Sequence, residues 1–214
     1  EDIGAGGGVA LTDIDFRGQR RQEFLGLFAT YTSAGQQRYA VNWRRWLFHR
    51  ELPGAGVALP ERSWINVQIG YEKTLTRRFF GFGADTAAGD ETSYTDAAAH
   101  AEVAYQRSLP GPGDDLVVGL ALGASRHRLG DGRVADAPDT AAVHPRLFAD
   151  ADATAAVTLR AGLRYDTRES QHAPYRGGHL GLALAWSPWQ DGFAPGGRAT
   201  LDGSYVWPVP GIFH

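Results

Sequence analysis

The stretch Val157-Thr-Leu-Arg-Ala-Gly-Leu-Arg-Tyr-Asp166 decides the fold. Val157, Leu159, Ala161, Leu163 and Tyr165 take every second place, and Thr158, Arg160, Gly162, Arg164 and Asp166 take the places between. A period of two is that of a β-strand, whose side chains point alternately to its two faces. A turn-rich piece follows, Thr167-Arg-Glu-Ser-Gln-His-Ala-Pro-Tyr-Arg-Gly-Gly178. Leu180, Leu182, Leu184 and Trp186 then alternate with Gly181, Ala183, Ala185 and Ser187. Each run is a strand with one apolar and one polar face. Arg160, Arg164 and Asp166 on the polar face are costly to bury inside a small soluble sheet. The apolar face ends in an aromatic residue with a polar tip. Apolar side out and wet side in is the pattern of a membrane β-barrel.

Working outward, the same alternation recurs. Val9 and Leu11 follow a glycine run, Gly4-Ala-Gly-Gly-Gly8, in a first strand over residues 1–16. That run is read as a glycine-weakened strand, because the strand and helix that would flank a dinucleotide loop are missing. Further strands are expected at 23–32, 37–48, 65–72, 99–106, 116–125 and 199–207, with a short aromatic one at 79–83 and a turn at 74–78. In the third strand Arg45 falls on the apolar face and Trp46 on the polar one, near an end where long side chains reach an interface. Residues 49–61 and 128–153 read as long loops rich in Pro, Gly or Asp. The sum is about ten strands and no convincing helix: an all-β, antiparallel, up-and-down transmembrane barrel forming one domain over residues 1–214.

Composition narrows the choice. The chain has 214 residues, 28 of them Gly, with a formal net charge of -3 and a mean hydropathy of -0.30. This near-neutral balance offers no electrostatic case for nucleic acid. Cys is absent, so neither a disulfide framework nor a thiolate metal site is possible. No apolar run approaches the ~20 residues of a spanning helix, which leaves a closed barrel as the way to cross a bilayer. In a ten-stranded reading every even strand ends in an outward tyrosine: Tyr31, Tyr71, Tyr105, Tyr165 and Tyr205. These would lie at one rim and, with Trp186 and Trp207, form an aromatic girdle. The long loops 49–61 and 128–153 would share the opposite rim.

The order of segments resembles the barrel of the bacterial surface-antigen family, the BamA-like outer-membrane assembly and secretion factors. The likeness is carried by 4–15 as first strand, by Phe79-Phe-Gly-Phe-Gly-Ala-Asp-Thr86 before an acidic loop, and by Tyr165-Asp-Thr-Arg168 followed by Pro174, Gly177 and Gly178. It covers nearly the whole chain. The last motif is similar to the family's periplasmic turn between its eighth and ninth strands. The resemblance implies the first ten or so strands of a sixteen-stranded barrel in the outer membrane, incomplete at its C-terminal end. It implies insertion or translocation of client polypeptide and a fused or associated passenger. The remaining strands come from further sequence or from another chain, or the ten strands, being even in number, close on themselves. A Val-Arg-Gly-Phe-like motif, which the family carries on a pore loop, is absent. A lateral seam is then expected at Gly4, Gly6, Gly7, Gly8, Val9 and Leu11, where poor pairing would let a client strand add to an open edge.

Chemistry is the weaker signal. The seven His are dispersed and no pair has metal-ligand spacing. Asp131, Asp136, Asp139, Asp150 and Asp152 lack the spacing of a calcium loop. A barrel-borne hydrolase would need Ser, His and Asp to converge at a rim, and no nucleophile-elbow motif is present. No enzyme activity and no cofactor are expected. Glu72, Glu102, Arg160, Arg164, Asp166 and Arg168 read as lumen or rim charges that satisfy one another in a wet interior. Two alternatives stand beside the assembly reading: a passive pore or structural barrel without a protein client, and a soluble ligand-binding barrel, which would need an apolar interior.

Overall fold

A computed structural model of the chain describes residues 3–15, 20–51, 58–81, 83, 86–111, 115–148, 153–168 and 176–207. They form one antiparallel sheet of nine strands in sequence order. The strands are β1 (Gly4–Asp15), β2 (Arg20–Thr32), β3 (Gln37–Glu51), β4 (Ala58–Phe79), β5 (Thr92–Leu109), β6 (Leu116–Asp131), β7 (Thr154–Asp166), β8 (Gly177–Gln190) and β9 (Gly196–Val206). Two one-turn helices, α1 (Thr140–Val143) and α2 (Pro145–Phe148), interrupt the β6–β7 connection. Each strand pairs with its neighbours in sequence, and β1 and β9 are the two unpaired edges. The all-β antiparallel expectation holds; the sheet is open rather than closed.

The strand count is nine, not ten, and the reason is local. Residues 74–78, Thr-Leu-Thr-Arg-Arg, were expected to turn but continue β4. They contain no Gly, Pro, Asn or Asp, and their Thr residues favour a strand. A register shift between Thr74 and Arg77 absorbs the local irregularity. The reversal comes instead after Phe79, where Gly81 and Gly83 take φ of +99° and +97° and so end the strand. No separate strand forms at 79–83 among the described residues, Phe79 being the last residue of β4. The loop expected at 49–61 is also shorter: β3 runs to Glu51 and β4 starts at Ala58.

Every strand after β4 therefore points opposite to the ten-strand expectation. At the upper rim β2 meets β3, β4 meets β5, β6 meets β7 and β8 meets β9. At the lower rim lie the ends of β1 and β2, β3 and β4, β5 and β6, and β7 and β8. Tyr31 and Tyr71 belong to the upper half, whereas Tyr105, Tyr165, Tyr205 and Trp207 belong to the lower. The single tyrosine girdle resolves into two belts, and Trp186, in the upper half of β8, lies in the row of Val103 and Leu122 between them. The two long connections, 49–61 and 128–153, lie at opposite rims.

Continuous cross-strand register carries the apolar face across the sheet. One row runs Leu11, Leu25, Trp43, Val67, Val103, Leu122, Leu159, Trp186. Almost none of it is covered. Leu120 is 58% exposed, Leu180 59%, Leu201 72% and Tyr205 67%. The buried apolar residues among those described are Trp46, Leu75, Ala104 and Val117. Asn66, Ser63, Ser108 and Asp166 are buried on the polar side instead. The sheet is thus inside-out relative to a soluble sandwich, with the crowded face polar and the open face apolar.

Candidate functional site

The polar face is a network of paired charges. Arg160 on β7 forms an ion pair with Glu102 on β5. Glu72 accepts from Thr74 Oγ1 at 3.0 Å and faces Arg77 at 3.6 Å and Arg38 at 3.9 Å. Arg44 Nε donates to Asn66 Oδ1 at 3.1 Å, and its guanidinium lies 4.7 Å from the Trp64 ring centre and 6.0 Å from that of Trp46. Trp46 is 9% exposed under that guanidinium, which explains an indole on the polar face. Arg45, on the apolar face, pairs with Glu23 across the strand at 3.2 Å.

The lower rim holds a tighter cluster. Asp166 is fully buried and receives Arg168 Nε at 2.9 Å and Nη2 at 2.8 Å in a fork-to-carboxylate contact. Arg164 Nε stands 3.5 Å from the same carboxylate. Arg168 lies in the turn beyond β7, where the Asp166 hydrogen bond outweighs burial and holds its guanidinium more firmly charged. Arg62 was not singled out in the sequence, yet it ties three segments together. Its Nη1 donates to Asp115 Oδ1 at 2.7 Å and to the Asp166 carbonyl at 2.9 Å, and its Nη2 to the Arg168 carbonyl at 3.2 Å. Its partners lie 53, 104 and 106 residues away in sequence, so no local pattern points to them. Of the six expected lumen or rim charges, Asp166, Arg164 and Arg168 come together here, Glu102 and Arg160 pair in mid-sheet, and Glu72 sits near the upper rim.

The seam candidates lie on β1, one of the two edges of the open sheet. Their glycines have a further physical reason. A Cβ on Gly6 would stand 2.4 Å from Thr30 Cγ2, whereas one on Gly7, on the other face, would meet nothing within 4 Å. Gly6 allows β1 to lie close against β2 on the crowded face. Val9 and Leu11 are 56% and 58% exposed on the open one.

Among the described histidines, His127 and His179 make side-chain hydrogen bonds. His127 Nδ1 lies 3.1 Å from Asp96 Oδ1, and His144 packs edge-on against Phe79 at 5.4 Å between ring centres. His179 lies 2.8 Å from Asp202 Oδ2 and 2.9 Å from Ser204 Oγ. His172 falls outside the described residues, and among those described no three His, Asp or Glu form a metal-holding group. Of the acidic residues of the 128–153 stretch, Asp150 and Asp152 also lie outside them. Asp139 is structural: it accepts the Gly132 amide at 2.8 Å. That stretch is not a free loop. Thr140, on α1, donates to Thr92 at 2.9 Å, the Ser93 amide reaches the Pro138 carbonyl at 2.9 Å, and the Arg133 amide reaches that of Leu75 at 3.1 Å. Together they fold 132–148 onto the upper extensions of β4, β5 and β6. No protein-family model matches this sequence, and no curated protein matches it.

Proposed function

We propose that the sheet is the lipid-facing wall of an outer-membrane β-barrel, and that its β1 edge is the seam through which client polypeptide inserts or passes. One observation carries the wall: an apolar face stands open, interrupted toward its lower edge by the Glu23–Arg45 pair, while the other paired charges described above sit on the crowded face. Fully burying a Leu or Val is worth about 1.5–3 kcal/mol, so a face of half-exposed Leu, Val, Trp and Tyr forgoes tens of kcal/mol in water. Exposed apolar patches beyond a few hundred Å² mark an interaction surface. Lipid satisfies this one because it needs no complementary shape. From Val157 to Tyr165 the apolar run of β7 is about 27 Å long, or about 20 Å across at a typical barrel tilt. Aromatic belts at both ends match the two interfaces of a bilayer.

Polypeptide handling rests on the segment resemblance and on β1, an unpaired edge with a glycine-rich backbone that can accept a strand. β1 and β9 run in the same direction, so an all-antiparallel wall needs an odd number of further strands between them, from this protein or a partner. The paired charges inside also support a passive pore, which needs only a wet lumen. A soluble ligand-binding barrel is the poorest fit, because its interior face would be the apolar one.

Lipids brominated on the acyl chain test the wall in reconstituted vesicles. Quenching is expected for Trp43, Trp186 and Trp189 and not for Trp46 or Trp64; equal quenching of both sets overturns it. Cysteines locking Gly7 or Val9 to the strand that closes on β1 are expected to block client transport. Transport through the locked protein, or a conductance indifferent to client peptide, favours the passive pore.

A further inference from the structure

On the assumption of the membrane reading above, we infer that Lys73, Arg126 and Arg128 form a site on the outer surface for the phosphate of an anionic membrane lipid. Their placement follows from register. Lys73 pairs with Ala97 and Ala97 with Arg128; one row below, Tyr71 pairs with Ala99 and Ala99 with Arg126. All three cations therefore stand on the apolar face, where the apolar rows end at the upper belt. Lys73 and Arg128 are two strands apart, about 10 Å, and Arg126 and Arg128 are about 7 Å apart along β6. Long side chains across that span converge on a single phosphate, and Ala97 and Ala99 between them leave the floor low.

Arg38, Arg62, Arg160, Arg164 and Arg168 each face a carboxylate, whereas Lys73, Arg126 and Arg128 have none among the described residues. Arg107 shares that lack, but it stands alone at the lower rim, while register gathers these three on neighbouring strands. The carboxylates next to the patch in the sheet face the other way: Glu72 toward Arg38 and Arg77, and Asp96 toward His127. Unpaired cations at the edge of an apolar band fit an anionic headgroup whose chains lie on that band. A shallow apolar groove lined by Val9, Leu27, Val41, Ile69 and Tyr71 reaches the patch at Ala99 and offers a track for an acyl chain. The Tyr39 and Tyr71 rings, stacked at 6.1 Å, stand at the headgroup level beside it.

The test uses the full-length protein in phosphatidylcholine vesicles. Flotation with these neutral vesicles reports the membrane reading alone; failure to float overturns that reading and this site with it. In protein that floats, spin-labelled phosphatidic acid is compared with spin-labelled phosphatidylcholine. The anionic lipid is expected to be preferred at least about fivefold, the effect of one cation near a membrane surface. That preference should fall to near unity in K73Q/R126Q/R128Q and remain in R107Q, which removes a cation from the same face at the lower rim. Since the three residues are partly or fully exposed and hold no partner among the described residues, the triple variant should keep its fold, checked by gel migration before and after heating. Equal binding of both lipids, or a preference unchanged in the triple variant, overturns the site. Competition by millimolar inorganic phosphate as strong as by lipid would assign it to the free anion and overturn the lipid.

Discussion

Arg62 shows how one side chain can matter without leaving a mark in the sequence. It is 8% exposed and, from β4, serves a carboxylate on the β5–β6 connection and two carbonyls where β7 leads into the β7–β8 connection. Asp115 keeps 44% of its side-chain exposure and can be rehydrated, but the buried Asp166 carbonyl would lose a charged donor. Arg62→Met is expected to lower stability by about 1–2 kcal/mol, read as a shift of the urea midpoint for folding into vesicles. Arg62→Lys should recover little, since an ammonium lacks the planar fork that reaches three acceptors. Arg160→Gln is the contrast: its side chain is 49% exposed, and the change should cost less than about 1 kcal/mol. At the β1 edge, Gly6→Val should weaken β1–β2 pairing, seen as faster amide exchange in β1. Thr30→Ser in the same chain should restore part of it, while Gly7→Ala should leave exchange unchanged. Asp166 and Arg168 stand out in the sequence as charges two residues apart, though only the structure shows that they meet. Arg62 does not stand out, because its partners meet only when β3–β4, β5–β6 and β7–β8 share one rim.

At the scale of elements, alternation located the apolar phase of every strand, since that phase depends on nearest neighbours along the chain. Strand ends were harder. The misread turn at 74–78 and the misread strand at 79–83 arise from one competition: a β-favouring Thr-Leu-Thr run against two glycines that only the folded backbone drives to positive φ. The error changed the sense of every later strand and split one tyrosine belt into two. The upper connection was misjudged for a related reason. A composition rich in Asp, Gly and Ala looks solvated, but Asp139 and Thr140 spend their polar atoms on Gly132 and Thr92. Asp139→Ala is therefore expected to release 132–148, with tryptic cleavage at Arg133 about tenfold faster; an unchanged rate would mean the lobe is held by its other contacts.

For the whole molecule, the direction of the edges is the deciding feature. An odd number of strands leaves β1 and β9 parallel, so neither self-closure nor a ring of copies gives an all-antiparallel wall. Val9→Cys combined with Leu201→Cys is expected to form no disulfide, within one chain or between differently tagged copies. A β9–β1 disulfide would instead establish a parallel closing seam. The sequence by itself determined the β class, the two chemically opposite faces and the glycine-rich first strand, because a period-two pattern needs no knowledge of what lies across the sheet. Only the tertiary structure decided which residues share a rim, which charges meet, and that the cations Lys73, Arg126 and Arg128 stand together. Those relations depend on strand count and register, and a single strand gained or lost reverses them all.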